Sequence, residues 1–158
     1  MPFTLSFPFL EPQPVVAVHA GLVPGVPLEQ QLRKHMTTMR NLQLMAAPAA
    51  TEGGWRGGGG GGEGGGGGAG RPRLVALERS DQGEAWAKLW EGPAHVMFGH
   101  DARRGIQQEP FATGLDTGCC YGHKLSAQIL PSGEIVQVDA KEQYKAIAPS
   151  PPLPLAGS

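Results

Sequence analysis

Apolar residues along this chain come in short blocks bounded by Gly and Pro rather than in long helical stripes. Val15-Val16-Ala17-Val18 is a continuous apolar run that ends in His19-Ala20-Gly21. Val96-Met97-Phe98 ends in the same manner, in Gly99-His100-Asp101. A short apolar run that stops at a Gly reads as a buried strand. The pattern predicts further strands at Ala94 to Phe98, Thr113 to Asp116, Lys124 to Leu130 and Glu134 to Val138, the last two forming a hairpin around Pro131-Ser132-Gly133. Pro2 to Leu10 alternates but carries prolines around it, which confines it to a sheet edge or a loop. Leu28 to Leu32 predicts a helical turn and His35 to Leu44 a short helix or loop. Glu84 to Trp90 predicts a helix that turns Trp86, Leu89 and Trp90 to a core and stops at Gly92-Pro93.

Composition changes this picture in one place. Of the 25 glycines in 158 residues, 14 lie between Gly53 and Gly70, in runs of up to six. Glycine buries no side chain and loses the most entropy on ordering, so 46–83 reads as a disordered Gly-rich insertion. A strand-like run, Leu74 to Leu77, sits inside it. The last ten residues, 149–158, carry four prolines and read as a floppy tail. The remaining length suffices for about one domain.

Charge excludes more than it indicates. A formal net charge of −1 offers no basic excess for nucleic acid. No apolar run reaches the roughly 18 residues of a membrane helix. The segment Met1 to Pro14 has no Lys or Arg, so it lacks the features of a secretory signal or an Arg-rich transit peptide. The only cysteines, Cys119 and Cys120, are adjacent and make no disulfide framework. A reducing, cytoplasmic setting is the expectation.

The candidate chemistry sits where the two apolar runs stop. In an α/β sheet, ligands bind in loops beyond the carboxyl ends of the strands. His19 and His100 both occupy such positions, beside a Gly, and together suggest two ligands of one metal ion. His35, His95 and His123 lack that setting and read as surface or structural residues. Arg103 and Arg104 follow His100 closely enough to reach a bound phosphate, which suits a planar guanidinium; a solvated loop fits them equally. Tyr121 lies in a Gly-rich loop, where it either touches a ligand or donates to backbone. Asp101 and Asp116 are candidates to fix the second ring nitrogen of a histidine ligand, although Asp116-Thr117-Gly118 reads more readily as a turn. Cys119 and Cys120 read as packing residues, because no base is placed beside them.

Four stretches occur in a fixed order: His19-Ala20-Gly21-Leu22-Val23-Pro24-Gly25, Met39-Arg40-Asn41-Leu42, Gly99-His100-Asp101-Ala102 and Gly114-Leu115-Asp116-Thr117-Gly118-Cys119-Cys120-Tyr121-Gly122. Together they resemble the C-terminal half of a calcineurin-like metallophosphoesterase, of the ApaH-like branch related to symmetrical diadenosine tetraphosphatases. The resemblance implies an α/β (α+β) fold, a partial β-sandwich with flanking helices. It divides the chain into a first part at 1–45, the insertion at 46–83, a second part at 84–148 and the tail. It implies two divalent metal ions in an intact member (Mn, Fe or Zn), with His19 and His100 on the same one, and it places Arg103 and Tyr121 near substrate phosphate. Two such metals orient and activate a water for in-line attack on phosphorus.

The departure from the family is large. Members carry Gly-Asp-x-His, Gly-Asp-x-x-Asp-Arg-Gly and Gly-Asn-His motifs, which supply the bridging and catalytic groups. This sequence has no Gly-Asp dipeptide, and its only Asn is Asn41. Met1 to Leu5 resembles an internal family segment, so the chain reads as a fragment, with no catalytic residue of its own, at most one partial metal site, and little or no activity alone. The implied substrates are phosphorylated small molecules such as dinucleoside polyphosphates, polyphosphate, capped RNA or a phosphoprotein. A non-catalytic remnant that binds or regulates a partner is the alternative, and a nucleic-acid module or membrane protein is not expected. Half of a two-sheet sandwich would leave sheet edges and an inner face uncovered, which predicts poor solubility or dimerisation.

Overall fold

The computed structural model describes residues 2–8, 13–45 and 73–146. In chain order the elements are β1 (Thr4–Phe7), β2 (Val15–Val18), α1 (Arg33–Thr38), β3 (Asn41–Met45), β4 (Arg73–Leu77), β5 (Glu84–Ala85), β6 (His95–Phe98), β7 (Gln107–Glu109), β8 (Ala112–Gly114), β9 (Lys124–Gln128) and β10 (Ile135–Asp139). Short 3-10 turns cover Leu28–Gln30, Trp86–Leu89 and Cys119–Tyr121.

The main sheet has five strands in the order β1-β2-β6-β8-β7. Its three inner strands run parallel, with Val18 opposite Phe98 and Phe98 opposite Gly114. The two outer strands are antiparallel to their neighbours. This order follows from the sequence. Val15, Val16, Val18, Val96, Phe98, Ala112 and Thr113 are all buried, as inner parallel strands require. The Gln-Gln-Glu of β7 is polar and forms one edge, and β1, which follows Pro2, forms the other.

A second, three-stranded sheet has the order β4-β3-β5, and β9 and β10 form a separate hairpin. One core cluster joins the two larger sheets through Val16, Val18, Leu42, Val96 and Phe98, with Leu22, Met36, Met39 and Trp86 filling between them. Trp86 sits at its centre, with its ring 4.7 Å from Phe98 and 6.4 Å from Trp90, both edge-on. The architecture is mixed α/β, built from several sheets with few helices.

Three sequence expectations are corrected here. The insertion read as disordered through Gly83 is ordered from Arg73, where β4 pairs with β3 along five residues. Leu74 and Ala76 pack against the core there, and that burial outweighs the composition upstream. Residues 46–72 and the tail at 149–158 lie outside the described residues. The helix expected at Glu84 to Trp90 is instead a two-residue strand and one 3-10 turn, because Ala85 pairs with Asn41 and so fixes the backbone extended. Likewise only Arg33–Thr38 is helical in the stretch read as helix or loop from His35 to Leu44, and Asn41–Met45 is a strand. α1 is the single α-helix among the described residues.

Candidate metal centre

His19 and His100 are neighbours because β2 and β6 are neighbours. Parallel pairing places Val18 opposite Phe98, so the residues that follow leave the sheet at one level. The Gly99 N–H then donates to the His19 carbonyl at 3.0 Å and ties the two loops together. The imidazole ring centroids lie 5.0 Å apart at an interplanar angle of 57°. His19 is exposed and His100 half-buried.

Each loop is held from below. After His19, the Ala20 N–H donates to the Met36 carbonyl of α1 at 2.8 Å. A Cβ on Gly21 would lie 2.6 Å from Trp86 Nε1, so the close approach of this loop to the core requires glycine. Further along, the buried Gln31 side chain bonds Val23 N–H, Val23 O and Val26 O, each at 2.9 Å, and closes the Gly/Pro loop. His100 takes a left-handed backbone conformation with φ 68°, and no other described non-glycine residue does so. Such a conformation costs about 1 kcal/mol or more and persists only where surrounding contacts impose it.

Electrostatics keep His100 neutral. Burial lowers its pKa from 6.5, and the nearby Arg40 guanidinium and His19 push it the same way. The nearby Thr38 backbone and the charge of Asp101 act in the opposite sense. The Nε2 atom of His100 is buried and has no hydrogen-bond partner among the described residues. A buried polar atom with no partner calls for an explanation, and a missing ion is one of a few available.

Beneath this pair lie Asp101 and Arg104, which the sequence suggests for other roles, together with Arg40 and Asn41, to which it assigns none. Arg40 donates through Nη2 to the His100 carbonyl at 3.2 Å and through Nη1 to the Glu78 carbonyl at 2.8 Å. Asp101 is 4% exposed and forms an ion pair with Arg104, while Arg40 Nε lies 3.8 Å from its other oxygen. Arg104 in turn donates to Asn41 Oδ1 at 2.7 Å. Asn41 is 1% exposed and donates to the Gln82 carbonyl. The available signal was an Arg-Asn pair heading an apolar strand, within a stretch already singled out for family resemblance.

These contacts correct two expectations. Asp101 does not orient an imidazole, because its carboxylate faces two guanidinium groups. Arg104 is half-buried and turned inward onto Asp101 and Asn41 rather than into a solvated loop. Arg103 remains exposed. Tyr121 is half-buried in its 3-10 turn and donates its backbone N–H to the Gly118 carbonyl at 2.9 Å. Asp116 accepts from the Gly118 N–H at 3.0 Å, which is the turn its sequence suggested. Cys120 is exposed rather than packed, and its carbonyl receives the Tyr144 and Lys145 N–H groups. His95 is structural, its Nε2 lying 2.8 Å from Thr113 Oγ1.

The two imidazoles fit a divalent metal as a pair of ligands. They are adjacent, one is held neutral, and one offers a buried unpartnered nitrogen. Neutral imidazole suits Zn, Fe and Mn. Among the described residues, no group of three or more His, Cys, Asp or Glu side chains is arranged to hold a metal.

With the geometry established, comparison with known proteins is informative. No family model matches the chain. Over 61 residues it is 31% identical to an asymmetrical bis(5'-nucleosyl)-tetraphosphatase of Oceanobacillus iheyensis, covering 39% of this chain and 24% of the relative. Over 57 residues it is 37% identical to a symmetrical bis(5'-nucleosyl)-tetraphosphatase of Ralstonia nicotianae, covering 34% of this chain and 20% of the relative. A crystal structure provisionally named a diadenosine tetraphosphatase superposes with a TM-score of 0.58 at 38% identity, over 80% of this chain and 46% of that one. The matched region thus spans about a quarter of the length of the curated relatives. Over that region the relatives of this chain are bis(5'-nucleosyl)-tetraphosphatases, and its fold corresponds to part of a diadenosine tetraphosphatase.

Proposed function

We propose that this chain contributes a two-histidine metal half-site to the hydrolysis of phosphoanhydride bonds, with dinucleoside polyphosphates as the favoured substrate class. The observation that carries this reading is the His19–His100 pair: rings 5.0 Å apart at the ends of adjacent parallel strands, with the His100 Nε2 buried and unpartnered. The names of the relatives supply the substrate class. Polyphosphate, capped RNA and phosphoproteins are the broader candidates.

His19 and His100 would hold one divalent ion, with Mn, Fe or Zn suited to the donor set. A metal of this kind polarises a phosphate oxygen and lowers the pKa of its bound water. The chain's own part is positional. The parallel register brings two imidazoles level, the loop hydrogen bonds hold them there, and the environment of His100 keeps it unprotonated. Arg103, exposed beyond His100, would meet substrate phosphate, and Tyr121 would line the same side. No second metal and no general acid are assigned to this chain, so its own hydrolytic rate is expected to be close to background.

The experiment is a paired one. Purified chain is titrated with Zn2+ or Mn2+ and assayed on diadenosine tetraphosphate. Metal binding at one equivalent, lost in both His19→Ala and His100→Ala, with hydrolysis near background, is the expected result. Hydrolysis at an ordinary enzymatic rate, of about 1 s−1 or more, would overturn the half-site reading. A second reading, a non-catalytic binding remnant, is favoured by one observation: Leu125, Val136 and Val138 of the β9–β10 hairpin are exposed large apolar residues. Absence of metal binding with retention of fold would favour it.

A further inference from the structure

We propose that Asp101, clasped between Arg40 and Arg104, is the positioning residue that fixes His100 for metal binding; this rests on the half-site reading above. Three observations converge. First, His100 sits at φ 68°, a left-handed backbone region that is uncommon for residues other than glycine. Second, Arg40 is the restraint that reaches it directly, donating to the His100 carbonyl at 3.2 Å while anchored on the Glu78 carbonyl at 2.8 Å. Third, Arg40 lies against a buried carboxylate. Asp101 Oδ1 is 3.8 Å from Arg40 Nε and has no hydrogen-bond partner of its own, while Oδ2 pairs with Arg104.

A half-buried guanidinium needs a counter-charge to remain in place. Asp101 supplies it to two of them at once. Arg104 extends the clasp to Asn41 in β3, and Arg40 precedes Asn41 in the chain. The loop after β6 is thereby fastened to the second sheet as well as to its own. Asp101 is adjacent to a candidate ligand but acts through backbone, not as a ligand and not as a partner of the ring. Arg104 pairs with its Oδ2, and its Oδ1 faces Arg40 at 3.8 Å.

Partners of this kind, one step removed from the metal, alter affinity by about 10- to 100-fold when changed. The test uses the full chain with Co2+ as probe, read by visible absorption, beside NMR of the imidazole rings without metal. Asp101→Asn keeps shape and removes charge. Arg40→Gln keeps the Asp101–Arg104 pair and removes the guanidinium that joins Asp101, the Glu78 carbonyl and the His100 carbonyl, so it reports even where Asp101→Asn fails to fold. Thr113→Val, a buried change outside the clasp, controls for lost stability alone.

The expected result is Co2+ affinity lowered by about 10-fold or more in both clasp variants, and unchanged in Thr113→Val. The ring-to-ring nuclear Overhauser contact of His19 and His100 is expected in the parent and lost in Arg40→Gln. Parent-like Co2+ affinity in both clasp variants overturns the proposal while leaving the half-site intact. A parent that binds no Co2+, as His19→Ala binds none, defeats the half-site reading. In that case the ring contact decides the clasp alone: lost in Arg40→Gln, the positioning stands; retained, it falls.

Discussion

Three parallel strands, β2, β6 and β8, end at one edge of one sheet, and the loops that leave them diverge in role. The first two present imidazoles to each other across 5.0 Å. The third folds back on itself, with Asp116 bonded to the N–H of Gly118 two residues on. The sheet gives all three loops the same starting level, since Gly99 N–H reaches His19 O at 3.0 Å and Leu115 N–H reaches Phe98 O at 2.8 Å. Position at the carboxyl edge is therefore shared. What differs is whether the side chain finds a partner in its own loop. Asp116 does, in the turn; His100 Nε2 has none among the described residues.

The shared level depends on the core beneath it. Trp86 is 2% exposed and touches Phe98, so Trp86→Ala should destabilise the fold by about 3–5 kcal/mol and disturb both histidine loops together, as read by urea unfolding. A gentler change separates the loops. Gly21→Ala places a Cβ 2.6 Å from Trp86 Nε1 and should cost about 1–3 kcal/mol, with the His19 ring resonances moving and the Asp116 turn unaffected.

Asp116→Ala removes one hydrogen bond and should cost about 1 kcal/mol, leaving metal affinity at the parental value. Equal loss of affinity in Asp116→Ala and His100→Ala would erase the contrast between the loops. The mildest probe is pH. Burial lowers the pKa values of His35, His95 and His100 from 6.5, so the unfolded chain takes up protons at higher pH than the folded one. Stability should be full above about pH 6.5 and fall as pH drops below it. His95→Gln should flatten part of that slope in urea midpoints measured from pH 7.5 to 5.

Much of the main sheet was legible in the sequence because its inner strands are short and uniformly apolar. Val15–Val18 matches its run residue for residue, and His95–Phe98 differs by one at its start. The pairing of the two histidines was legible for the same reason: each is the first or second residue after such a run. The second sheet was not. The register of β3 with β4 depends on a pairing between Asn41 and Leu77, 36 positions apart, which no local period encodes. Trp86 and Trp90, four residues apart, mimic a helix face, yet the backbone there is set by the pairing of Ala85 with Asn41. β7 was missed because Gln107–Glu109 is a polar edge, with none of the alternation that marks a half-buried strand. The clasp around Asp101 was illegible because Arg40 and Asn41 lie about 60 positions before Asp101 and Arg104, with Asn41 and Arg104 63 apart, and the four meet only when the two sheets pack.

The most direct test of the central claim follows the five histidines individually. Imidazole nitrogen resonances of the isolated chain are recorded during Zn2+ titration. His19 and His100 should shift together and saturate at one equivalent, with His35, His95 and His123 unmoved. Independent shifts of the two, or binding confined to the exposed His123, would contradict the shared site.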